Sequence, residues 1–264
     1  MRWVLGFSVV ISLLGTAAMG ASHLVLVGGG IYSPEAMSQF TKWGGGSTGD
    51  YLIVSWATKN PQVALQRISQ ALVPFQPKSI QAAPSFEEMT SQKEKFLEQL
   101  QQSTGVFFTG GSQNRIMSVL ADQEILGAIR RAFDRGTVIG GSSAGTAIMS
   151  RLMFTGAGNF TQIDPTGIVL APGLGLLPGV VIDTHFLKRE RENRLLSALS
   201  QTPEKIGIGI DEGCALAIEE GNKARVVGPG KVMVLVRQGS AKQFALQLLS
   251  QGDSVDLTPA SPPT

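Results

Sequence analysis

The stretch "TVIGGSSAGTAIMS" (137–150) contains a pattern that can do chemistry. Within it, "GSSAG" (141–145) fits G-x-S-x-G, in which a serine sits on a strained turn between a strand and a helix and its hydroxyl is pushed outward. Val138 and Ile139 supply the strand before the turn, and "TAIMSRL" supplies the helix after it. The small residues Gly141, Ala144 and Gly145 flank the central Ser143. A serine hydroxyl is a weak nucleophile without a base, and this chain has only two histidines. His23 stands before the first predicted strand and is a poor candidate. His185 ends the apolar run "GVVIDTHF" (179–186) and is the expected base.

An acyl-transfer site also needs a group to orient the imidazole and amides to hold an oxyanion. Between Ser143 and His185 the carboxylates are Asp164 and Asp183. Asp183 shares a strand face with His185, which suits substrate contact as well as support. Asp164, in "NFTQIDPTG", is therefore taken as the third member of a triad, although Asp before Pro165 is also a common turn signal. The amides of Ala144 and of Gly111, from the turn "TGGSQ" (109–113), are the expected oxyanion donors. This chemistry needs neither metal nor cofactor. The single cysteine, Cys214, offers no metal cluster and no internal disulfide.

These residues need a scaffold that brings strand tips together. "HLVLVGGG" (23–30), "DYLIVSWAT" (50–58), "TGVFFTGG" (104–111), "TVIGG" (137–141) and "GVVIDTHF" read as buried strands, several of them ending in glycine or small polar residues. Helices are predicted between them. Asn60–Pro61 opens "PQVALQRISQAL", Ser85 with Glu88 gives a capping box before "MTSQKEKFLEQLQQS", and "QNRIMSVLADQEILGAIRRAFDRG" reads as one long helix. A charged helix, "LKRERENRLLSALSQ", follows His185. Four short strands at hairpin spacing, from "IGIGIDEG" to "KVMVLVRQ", then close the chain. Strand–helix alternation predicts an α/β fold, with a mostly parallel sheet covered on both faces and an antiparallel edge from the last hairpins. Ligands of such sheets bind at the carboxyl ends of the strands.

The 264 residues suffice for one large domain, read here as 21–256 with a disordered tail over 257–264. "MRWVLGFSVVISLLGTAAMGAS" has the basic start, apolar core and small residues of a secretory signal, with cleavage expected near Gly20 or Ala21. Residues 1–20 are thus expected to be a signal peptide, leaving no stable membrane span after cleavage and a periplasmic or secreted product. With a net charge of +2 and no basic block, no nucleic-acid partner is expected.

Four segments, in order, resemble cyanophycinase and the wider S51 family of serine peptidases: "FFTGGSQNRI", "GGSSAGTAIM", "PGLGLLPGVVIDTHFLKRERENRLLSAL" and "GIGIDEGCAL". The third is the most specific, with D-x-H-F followed by R-x-R-x-x-R. The resemblance implies a flavodoxin-like three-layer sandwich related to class I glutamine amidotransferases, usually a homodimer. It also implies a serine exopeptidase that cuts cyanophycin, an aspartate backbone bearing arginines, to β-Asp-Arg. Carried over by motif, Ser143 is the nucleophile and His185 the base. Gln113, Asp183, Arg189, Arg191 and Arg194 line the substrate pocket, and Thr184 stands where cyanophycinases typically carry glutamine. The alternatives are an aspartyl or isoaspartyl dipeptidase, a conventional α/β-hydrolase esterase and a binding protein without turnover. About eighty residues follow His185, more than such an esterase usually places after its histidine.

Overall fold

A computed structural model describes residues 22–158, 161–239 and 243–258. The predicted signal segment lies outside the described residues, as do residues 259–264 of the predicted tail. The first half of the chain runs β1 (His23–Val27), α1 (Pro34–Trp43), β2 (Asp50–Val54), α2 (Pro61–Leu72), β3 (Ser79–Ala82), α3 (Lys93–Gln102) and β4 (Gly105–Phe108). Next come α4 (Gln113–Val119), α5 (Gln123–Asp134), β5 (Val138–Ser142), α6 (Ala144–Ala147), β6 (Leu152–Gly158), β7 (Ile168–Pro172) and β8 (Val180–Thr184). The last part holds α7 (Glu192–Gln201), β9 (Ile206–Ile210), β10 (Ala215–Glu219), β11 (Lys223–Val227), β12 (Val232–Arg237), β13 (Phe244–Leu249) and β14 (Ser254–Asp256).

The large sheet has the order β14-β11-β10-β1-β5-β4-β2-β3. Its β1, β5, β4, β2 and β3 are mutually parallel, and β10, β11 and β14 add an antiparallel edge. Each central strand is apolar on both faces, because alternate side chains enter different cores. Val25, Val27, Ile53 and Phe107 pack with Met37 and Phe40 of α1 and Ile68 and Leu72 of α2. Leu24, Leu26, Leu52, Val106 and Ile139 pack with Phe96 of α3 and Ile125 and Ile129 of α5. The result is the expected helix–sheet–helix sandwich.

Placement differs from expectation in several places. The run "GVVIDTHF" does not join the central sheet. Its strand β8 pairs in parallel with β9 inside a separate sheet ordered β13-β12-β9-β8, whose outer face is covered by α7. The long predicted helix is two helices, because Asp122 caps a new one and accepts from the amides of Glu124 and Ile125. Only half of the Ser85–Glu88 box forms: the Ser85 amide donates to Glu88 Oε2 at 2.8 Å, but the Glu88 amide donates to Ser85 O at 3.1 Å, and α3 starts only at Lys93. Helix α1, opened by Ser33 and Pro34, and the β6–β7 hairpin were not expected. At the other end Leu257 is buried and its amide donates to Asn222 O, so ordered packing runs past 256.

Candidate active site

The site forms where the carboxyl ends of β1, β4, β5 and β8 meet. Ser143 follows β5 directly, with φ 52° and ψ −111°, a backbone conformation that costs energy for a residue with a Cβ. Neighbouring contacts hold it there. The Ser143 amide donates to Val27 O at 3.1 Å, and Thr146 Oγ1 bridges Val27 O and Gly141 O at 2.7 and 2.8 Å. The motif glycines have a packing reason: a Cβ on Gly141 would come within 2.4 Å of the Gly145 backbone. This is the sharp turn the sequence pattern required.

His185 likewise has a positive φ, 50°, which is unusual for a residue with a Cβ. Its amide donates to Gly28 O at 2.8 Å, which ties the tip of β8 across the sheets to the tip of β1. Gly29 lies flat against the imidazole, where a Cβ would approach Cε1 to 2.3 Å. The ring bonds to two residues. His185 Nε2 is 2.9 Å from Ser143 Oγ, and Nδ1 is 2.6 Å from Glu212 Oε1.

The protons follow from the partners. The bond from His185 holds the Glu212 carboxyl below its usual range, so it is ionised and can only accept. Nδ1 must therefore carry the hydrogen, which leaves the Nε2 lone pair facing the serine hydroxyl. Burial lowers the imidazole's proton affinity below its ordinary value, outweighing the opposing pull of Glu212, and Arg189 lowers it further. A neutral imidazole poised on a hydroxyl can take its proton.

The carboxylate in contact with the imidazole is thus Glu212, and Asp164 does not reach the ring. Asp164 caps its own turn: its Oδ1 accepts from the Thr166 amide at 2.9 Å and the Thr166 hydroxyl at 2.7 Å. Glu212 follows both Ser143 and His185 in the chain, whereas the Ser–acid–His order points to a carboxylate between them. Its signal was present in "GIGIDEGCAL", where a carboxylate directly follows the strand–Asp run. Cys214, two residues on, is buried, with its thiol pushed up to about 12, and is inert packing. His23 stacks on Trp43, with ring centroids 4.4 Å apart, at the other end of β1.

An open cavity of about 410 Å3 lies in front of Ser143 and His185. Gly110 and Gly111 form part of its wall, and Ala144 opens α6 next to Ser143, where the first amides of a helix have no acceptor one turn back. Of the expected substrate residues, Arg189 lines the cavity, whereas Gln113, Asp183, Thr184, Arg191 and Arg194 do not. Gln113 Nε2 donates to Phe154 O at 2.7 Å. Asp183 is 1% exposed and is held by both forks of Arg194 and, at 3.2 Å, by Arg191 Nη1. Arg191 also donates to Thr184 O at 2.6 Å, and the Arg194 guanidinium lies 4.6 Å above the Phe154 ring. These side chains form the support behind His185. Arg67, on α2, lines the cavity instead and was not singled out by any motif.

Comparison with known proteins places this geometry. Residues 52–226 match Peptidase family S51. The chain belongs to peptidase family S51. It is 30% identical over 218 residues to a cyanophycinase of Geminocystis herdmanii, an alignment covering 81% of this chain and 80% of that one. It is 31% identical over 216 residues to a cyanophycinase of Trichormus variabilis, covering 80% and 72% of the two chains. A solved peptidase from an acI-B1 Actinobacterium superposes with a TM-score of 0.71 at 21% identity, covering 91% of this chain and 98% of that one, and shares the fold. This S51 chain is accordingly a serine-type peptidase, a hydrolase with a flavodoxin-like α/β fold. No helix among the described residues is long and apolar enough to cross a membrane.

Proposed function

We propose that this S51 peptidase is a cyanophycinase-like exopeptidase that releases β-Asp-Arg from cyanophycin, with Ser143 as nucleophile and His185 as base. Glu212 takes the orienting role expected of Asp164. Ser143 Oγ attacks the scissile carbonyl carbon as its proton passes to His185 Nε2. The oxyanion is received by the amides of Gly111 and Ala144. The imidazolium, stabilised by Glu212, then protonates the leaving amine, and water attacks the acyl-enzyme with His185 again as base. The observation that carries this reading is the unbroken Ser143–His185–Glu212 chain at the edge of the cavity, with bonds of 2.9 and 2.6 Å. Similarity to the two cyanophycinases supports the substrate. Export through a signal peptide over residues 1–20, read from their basic start and apolar core, and a homodimer, implied by the family resemblance, belong to the same proposal.

The test is release of β-Asp-Arg from cyanophycin by the purified chain, beside Ser143→Ala. Release is expected from the parent, with a fall of about 1,000-fold or more in the variant. Equal release from both would remove Ser143 as nucleophile. No release by a folded, fluorophosphonate-labelled parent would remove cyanophycin while keeping the serine chemistry.

A further inference from the structure

Ser143, His185 and Glu212 come from three parts of the chain: the end of β5, the end of β8 and the turn between β9 and β10. β5 belongs to the large sheet and β8 to the smaller one. Their backbones meet on one short segment, the tip of β1. Val27 O accepts from the Ser143 amide at 3.1 Å, Gly28 O from the His185 amide at 2.8 Å, and Gly29 O from the Gly213 amide at 3.2 Å. Three successive carbonyls thus each hold one member of the Ser143–His185–Glu212 chain, the last through the residue after Glu212.

The glycines of this tip differ in what their missing side chains leave room for. A Cβ on Gly28 would stand 2.1 Å from Asp211 O, a backbone atom just past β9, so that glycine serves the joining of the two sheets. A Cβ on Gly29 would meet the imidazole instead. Its three nearest atoms would be His185 Cε1, Nε2 and Nδ1, at 2.3, 2.4 and 2.8 Å. The ring is a rigid plane, bonded through Nδ1 to Glu212 at 2.6 Å and through Nε2 to Ser143 at 2.9 Å. Retreating by the roughly 1 Å that an ordinary contact needs would carry one or both bonds out of hydrogen-bond range. Gly252 offers the contrast. Gly29 and Gly252 have φ of 121° and 92°, where L side chains are rarely found, but Gly252 has open space at its Cβ position.

We propose that the β1 tip is the template on which the active site is assembled, and that Gly29 is a positioning residue. Its bare Cα lies against the imidazole face and sets the ring between Ser143 Oγ and Glu212. Gly29 acts through His185 and takes part in no bond that forms or breaks. The proposal rests on the reading of Ser143 as nucleophile and His185 as base, not on cyanophycin as the substrate.

The experiment compares Gly29→Ala with Gly252→Ala in the full chain, using a fluorophosphonate as the probe of Ser143. Gly29→Ala is expected to slow labelling about 100-fold or more, as displacing a catalytic group by about 1 Å does. Gly252→Ala is expected to label within about twofold of the parent, although it carries a comparable backbone strain. Imidazole 15N resonances give a readout that strain alone would not move, with His23→Gln assigning the two histidines. The parent is expected to hold the His185 hydrogen on Nδ1, and Gly29→Ala to lose that single tautomer. Urea unfolding supplies a double-mutant cycle: the midpoint shift caused by Gly29→Ala is expected to fall by about half or more in a His185→Ala background, where the ring is gone. Should Gly29→Ala alone not fold, Gly29→Ala with His185→Ala is still expected to fold. Labelling of Gly29→Ala within about tenfold of the parent, an equal loss in Gly252→Ala, an unchanged His185 tautomer, or a destabilisation that persists without the ring would each overturn the proposal. Failure of the nucleophile reading is separable. The parent would then not be labelled at Ser143, while the 15N resonances and the unfolding cycle would still report whether Gly29 holds the ring.

Discussion

The two sides of His185 use the same residue types for opposite ends. Behind the ring, Asp183 is 1% exposed and clamped by Arg194 and Arg191, with Arg194 also over the Phe154 ring. In front, Arg67 and Arg189 border the cavity and form no direct ion pair among the described residues, with Glu212 acting on Arg189 only at longer range. The rear cluster fixes the strand tip that carries His185. The front pair faces an open cavity. An arginine whose charge is already matched inside the protein supports structure, and one without a direct ion pair beside a cavity does so far less.

The sharpest way to break this comparison is to cut one residue on each side. Arg194→Ala leaves Asp183 buried and short of its main partner, and is expected to cost about 3–5 kcal/mol in urea unfolding. Arg67→Ala is expected to change the same measurement by no more than about 0.5 kcal/mol. Replacing both rear partners, as Asp183→Asn with Arg194→Met, is expected to recover part of the loss, because no uncompensated charge then stays buried. Equal effects of Arg194→Ala and Arg67→Ala would erase the distinction between the two sides.

A second contrast separates the acid that the sequence suggested from the one in contact with the ring. Glu212→Gln is expected to lower kcat about 100-fold with little change in KM, since it removes the charge that stabilises the imidazolium. Asp164→Asn, which alters a turn away from the ring, is expected to change kcat less than about twofold. Steady-state rates on one substrate decide the matter, and a reversed order would return the role to Asp164.

The smallest expected effect concerns pH. Only neutral His185 can accept the serine proton, and burial holds its pKa below the ordinary 6.5. The value of kcat/KM is therefore expected to rise with pH through a midpoint below 6.5 and to be level by about pH 7–8. Glu212 pulls that midpoint upward, so Glu212→Gln is expected to move the acid limb of the residual activity to still lower pH. An acid limb above 6.5 would mean that the carboxylate outweighs burial.

Much of this was legible in the chain itself, and particular residues show where legibility stopped. The G-x-S-x-G pattern between an apolar strand and a small-residue helix fixed Ser143, because few residue types tolerate so tight a turn. Two histidines left one plausible base. The parallel strands were readable as apolar runs buried on both faces. The helix break at Asp122 was missed because the apolar spacing continues through it while the cap is a local hydrogen bond. The separate sheet of β8 was missed because strand composition is alike in both sheets and does not name a partner.

The sequence by itself thus determined which serine stands on the strained turn, which histidine can face it, and the α/β class, since each depends on local backbone geometry or on a scarce residue type. Tertiary structure decided which carboxylate meets the ring and which arginines face the cavity. Glu212 stands 27 residues after His185, and Arg67 lies on a helix far back in the chain. Carboxylates and guanidiniums are common along this sequence, and their roles follow from burial and partners, which only the assembled fold supplies.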